Sequence, residues 1–89
     1  MNNFESNCKE TYDKYVKVYL SQKTKTDSAL KDMADNMRLL AQLSEQMADE
    51  ITDIANQELK NNKIDKETII QIAQKYLKQF TIDIVKGNY

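Results

Sequence analysis

Three groups of side chains recur at spacings that place them on one side of a helix: Tyr12, Tyr15 and Tyr19; Glu45, Asp49 and Asp53, with Glu50 beside them; and Met33, Met37 and Met47. Residues three and four apart share a helix face. Phenols on one face suit a protein interface, because the ring is apolar while the hydroxyl stays wet. The plainer reading is a stripe at the core boundary, but a purely internal stripe would more often use Leu. The tyrosines are therefore the best partner-binding candidates. Like charges four apart cost a helix a few tenths of a kcal/mol per pair. A helix that keeps such a series is expected to hold an acidic face, either solvated or turned to a basic partner such as Lys75 and Lys78 of the same chain. The thioethers could form an adaptable binding seam, although Met at core positions of a helix is ordinary filler, and that reading is preferred.

Reactive chemistry finds little support. The 89 residues include no His, Pro or Trp, one Gly and one Cys. Structural zinc, His-ligated haem, and Ser-His-Asp or Cys-His catalysis each lose an essential part. Carboxylate-bridged di-metal bundles use inward Glu-x-x-His pairs, and the acids here turn outward. No Gly-rich loop exists to cradle a phosphate, and no two acids share an apolar stripe at adjacent sites. Cys8 falls on an apolar stripe with no imidazole to activate it, and reads as buried filler. No catalytic, cofactor-binding or metal-binding residue is expected, and no small-molecule substrate.

The elements that position these groups are helical. From Asn3 to Gln22, Cys8, Tyr12, Tyr15 and Tyr19 recur at helical spacing, widened by Phe4, Val16 and Leu20. Glu5 and Lys9, Glu10 and Lys14, and Asp13 and Lys17 are placed for helix-supporting pairs. After an N-cap at Asp27 or Ser28, a long helix over 28–61 follows a heptad alternation: Leu30, Met33, Met37, Leu40, Ser44, Met47, Ile51, Ile54 and Glu58. Ala34, Ala41, Ala48 and Ala55 repeat along one flank and leave a smooth groove for a neighbouring helix. Ser44, the polar residue in that seam, either sets register or bonds back to its own helix.

A third helix over 66–86 opens at Asp65, with Ile64 and Ile69 placed for a hydrophobic staple, and closes at Gly87 in a left-handed cap. Its stripe reads Ile70, Ala73, Leu77, Phe80 and Ile84, joined by Ile69 and Tyr76. The stretch Phe80–Val85 alternates like a strand, but no second strand exists to pair with it, so it is kept helical. Ile72, Ile82 and Val85 fall off the stripe and, with Tyr89, make an apolar end that is either extra burial or a partner patch.

Charge points away from nucleic acid. Thirteen basic and fourteen acidic residues leave a net charge of −1, not the basic footprint of a nucleic-acid binder. Lys23-Thr24-Lys25 is a basic linker and a weak candidate for a nucleic-acid contact. Nor does the N-terminus read as a signal peptide, and no apolar run is long enough to span a bilayer. With a lone cysteine, these features lead us to expect a cytoplasmic protein.

The expected architecture is all-α: one domain over 1–89, an antiparallel three-helix bundle whose long central helix overhangs its neighbours. That overhang needs cover, so a homodimer is expected, with Leu30, Met33, Met37, Leu40, Met47, Ile51 and Ile54 as the self-association seam. Partner-binding residues would be the three tyrosines, Glu45, Asp49, Glu50, Asp53, Ile82 and Val85. The expected function is that of a non-catalytic helical adaptor, chaperone or inhibitor docking on another protein. Two alternatives are a structural subunit of a larger assembly, of phage or secretion type, and a small immunity or regulatory protein near a membrane or on nucleic acid; neither a membrane nor a nucleic-acid partner is favoured. The Asn-, Lys- and Ile-rich usage suggests an AT-rich genome, as of a bacterium or phage.

Overall fold

The computed structural model describes residues 3–61 and 63–87, and contains three helices: α1 (Asn3–Gln22), α2 (Ala29–Asn61) and α3 (Lys66–Val85). The helices have the expected positions, and each packs against the other two. The chain is an all-α three-helix bundle. Phe80–Val85 lies inside α3, as expected without a strand partner.

Local chemistry sets the ends. Ser28 Oγ accepts the Lys31 amide at 3.4 Å at the start of α2. Asp65 caps α3, accepting the Thr68 amide at 2.9 Å and the Thr68 hydroxyl at 2.8 Å, which satisfies a donor that the first turn leaves free. At the other end Gly87 takes a φ of 73°, its amide donating to Ile84 O at 3.1 Å. This left-handed step closes a helix at little cost for Gly.

The core holds Phe4, Cys8, Tyr12, Tyr15 and Val16 from α1, Leu43, Met47 and Ile51 from α2, and Ile69 and Phe80 from α3. Moving from Glu5 to Tyr12 along α1 moves the contact from Lys75 to Asp83 along α3, so these two helices run parallel. α2 runs against both. The molecule measures 51 × 19 × 18 Å. Its long dimension is that of α2 itself, 33 residues at about 1.5 Å each.

The inward face of α2 differs from the sequence reading, and that of α3 at one residue. In α2 the buried residues are Leu43, Met47 and Ile51, with Leu39, Leu40, Ile54 and Ala55 packed beside them, while Leu30, Met33 and Met37 stay exposed. A strict seven-residue stripe on a straight helix rotates by about 20° per heptad, so the line Ile51, Ser44, Met37, Leu30 winds out of the core toward the α3 side. In α3 Ile69, Ala73, Tyr76, Leu77, Phe80 and Ile84 pack inward as expected, joined by Asp83, and Ile70 alone of that stripe is exposed.

The linker between α1 and α2 is strapped along the first turns of α2. Thr24 and Asn36 exchange hydrogen bonds, the Thr24 amide donating to Asn36 Oδ1 at 2.8 Å and Asn36 Nδ2 to Thr24 O at 3.1 Å. The Thr26 amide and hydroxyl both donate to Asp32, at 2.6 and 2.8 Å. These donors hold the Asp32 carboxyl below the usual carboxylate range. The strap covers one flank of the overhanging end and leaves the flank toward α3 open.

Candidate functional site

The open flank gathers the most exposed of the large apolar side chains, while Leu20, Leu59 and Ile70 are exposed singly elsewhere, at 37–42%. Leu30 is 76%, Met33 55% and Met37 63% exposed on α2, and Val85 of α3 is 71% exposed beside them. Met33, Met37 and Val85, with Tyr19, Asn36, Leu40 and Ile84, line a recess of about 360 Å³, and Leu30 lies one turn beyond Met33 along α2. Further along the same side, Ser44 and Ala48 of α2 and Leu77, Thr81 and Ile82 of α3 line a shallow apolar groove of about 480 Å³ with Lys78 at its rim. Exposed apolar surface gathered in this way marks an interaction site more often than scattered single residues do.

The seam expected for self-association therefore divides. Met47 and Ile51 are fully buried in the chain's own core, Leu40 and Ile54 are half-buried, and Leu30, Met33 and Met37 face outward. Ile82 and Val85 both lie on the open side, at 41% and 71% exposure. Tyr89 lies outside the described residues.

The tyrosines go elsewhere. Tyr12 and Tyr15 are buried and Tyr19 is half-buried, so the first two offer no free face to a partner. Tyr12 stacks edge-on against Phe80, with ring centroids 6.3 Å apart, and its hydroxyl donates to Asp83 of α3. Gln79 Nε2 donates to the other Asp83 oxygen at 2.7 Å. Asp83 is only 8% exposed, and a carboxylate this buried is held by such donors. Tyr76 bonds Glu5 through its hydroxyl at 3.2 Å, beside the Lys75–Glu5 ion pair at 3.0 Å. Together these contacts form a polar seam between α1 and α3. Sequence reading passed over Asp83, although its spacing from Tyr76 and Phe80 puts it on the inward line.

The acidic flank finds its basic partner on α1, not α3. Lys14 Nζ reaches both Glu50 oxygens, at 2.7 and 2.8 Å, whereas Lys75 is taken by Glu5. Glu45, Asp49 and Asp53 are exposed. The pairs expected within α1 rearrange likewise: Lys9 meets Asp13 at 3.3 Å, Lys14 crosses to α2 and Glu5 to α3. Burial together with the Glu50 carboxylate raises the Tyr15 phenol above its ordinary value.

Cys8 is fully buried, and burial, reinforced by Glu5, pushes its thiol from 9.0 up to about 11. It stays a neutral thiol at neutral pH, which is the chemistry of filler and not of a nucleophile. No three of the Cys, Asp and Glu side chains among the described residues gather as a metal site. No described helix is long and apolar enough to cross a membrane. Another recess, about 590 Å³ at the opposite end of the bundle, is lined mostly by amides and charged groups, including Asn3, Asn7, Gln57 and Asn61. Comparison with protein families, with curated proteins and with solved structures finds no match.

Proposed function

We propose that this chain is a non-catalytic cytoplasmic interaction module that works by helix-face docking, and that it docks through the outward side of α2 and α3. The observation that carries this reading is the exposure of Leu30, Met33, Met37 and Val85 at one end of the bundle. Full burial of each would contribute about 1.5–3 kcal/mol, a driving force that the folded single chain leaves unused. Two apolar recesses lie along the same side, and Ala34, Ala41 and Ala48 run beside them on α2. A helix laid there would meet small side chains along its length and larger ones at its end, the pattern of helix-in-groove recognition. Non-catalytic action is supported by Cys8, whose thiol is buried and held protonated, and by the engagement of the buried Asp83 carboxylate in the α1–α3 seam.

The variant Met33→Ser/Met37→Ser separates folding from docking. Its denaturation midpoint in dilute solution should match that of the parent chain. The complexes that the tagged parent forms in its source cell, trapped by chemical cross-linking, should be lost. Their persistence in the variant would overturn the reading.

A further inference from the structure

The spacing of features along α2 indicates what covers this face. Leu30 and Met37 project from the N-terminal part of α2, and the groove beside Ser44, Ala48 and Leu77 lies further along the same side. From Met37 to Ala48 is roughly 16 Å along the axis at 1.5 Å per residue. A projection and a groove displaced along one face complement themselves about a two-fold axis set between them, and that midpoint falls near Ala41.

We propose that a second copy of this chain covers the face, its α2 antiparallel to the first about a two-fold axis near Ala41; this rests on the docking reading and names its occupant. Each copy then lays Met37 against the other's Ser44 and Ala48, beside Leu77, with Leu30 further along at the level of the other's Thr52. Ala41 meets its own twin on the axis and Ala34 faces the other copy's Ala48, so the two backbones can approach closely. Because the same patch serves both sides, the contact closes at two copies and does not grow into a filament.

Charge selects this orientation. Arg38, whose side chain is 78% exposed, comes beside the second copy's Glu45, and the pair occurs twice by symmetry. Its partner within the chain, Asp35 at 3.1 Å, forms an exposed pair that costs little to rearrange. Glu45, Asp49, Glu50, Asp53 and Glu58 all lie in the C-terminal half of α2. Parallel pairing would set two acidic halves side by side, and antiparallel pairing sends them to opposite ends.

The test is molar mass by light scattering over a hundredfold concentration range, on the full chain and on charge variants. The parent chain should approach twice 10.4 kDa. Arg38→Glu, which sets like charges together at both ends, should weaken association by roughly tenfold or more, and Arg38→Glu/Glu45→Arg should restore it. Geometry is read separately by oxidation. Ala41→Cys should form a disulfide between copies, while Ala34→Cys, whose twins lie roughly 20 Å apart along the axis, should not. Cys8 is buried and does not compete. A mass fixed at 10.4 kDa, or equal cross-linking at positions 34 and 41, overturns the second copy as occupant. The docking reading fails separately, if Met33→Ser/Met37→Ser keeps its cellular complexes.

Discussion

Leu43 and Met37 are both large apolar residues of α2, yet Leu43 is 3% exposed and Met37 63%. The two should therefore respond differently to truncation. Leu43→Ala removes buried contacts and should cost about 2–5 kcal/mol in chemical denaturation. Met37→Ser should stay within about 0.5 kcal/mol in dilute solution. The Tyr12–Asp83 bond is testable in the same way. Tyr12→Phe takes a donor from a buried carboxylate and should destabilise by about 1–3 kcal/mol, whereas adding Asp83→Leu, which removes both partners, should recover most of the loss. Cys8 gives the pH signature. Its folded-state pKa is raised, so its contribution to stability is complete below the unfolded value of 9.0 and is lost as pH rises toward about 11. In Cys8→Ala the alkaline fall in stability should be shallower, and in the parent chain thiol reagents at pH 8 should label native Cys8 far more slowly than the unfolded chain.

At the scale of elements, the caps and the linker strap carry the boundaries. Asp65→Ala should cost about 0.5–2 kcal/mol, read as a lowered denaturation midpoint, because two bonds from Thr68 end on that carboxylate. Helix positions were legible in the sequence because they rest on local signals: apolar spacing at 3.6, capping residues and the lone Gly87. Inward faces were less legible. The heptad reading of α2 assumed that a seven-residue repeat stays on one side, which holds for a supercoil but not over several turns of a straight helix. Leu43, off that repeat, is buried, and Leu30, on it, is not. The tyrosines show a different limit. Their spacing fixes a shared face but not what lies opposite, and here Tyr12 and Tyr15 meet the chain's own α2 and α3. Asp83 was hidden by its charge, since a carboxylate on an apolar line becomes tolerable only once Tyr12 and Gln79 are folded against it.

For the molecule as a whole, three helices of unequal length leave a remainder. α1 and α3 have 20 residues each and α2 has 33. The strapped linker protects one flank of the extra length, and the other flank carries the apolar side chains on which the proposed function depends. The ion pairs on the outside, such as Lys14–Glu50, are exposed and contribute at most about 1 kcal/mol each. The bundle is thus held by its core and its α1–α3 polar seam, which leaves the open face free to serve association. The most direct test of that division places a photo-cross-linking residue at Met37 and, for comparison, at Glu10 on the exposed side of α1, in the chain expressed in its source cell. Protein adducts at position 37, with a second copy or with another chain, and none at position 10 are the predicted result. Adducts equally at both positions, or at neither, would contradict the assignment of docking to the α2–α3 face.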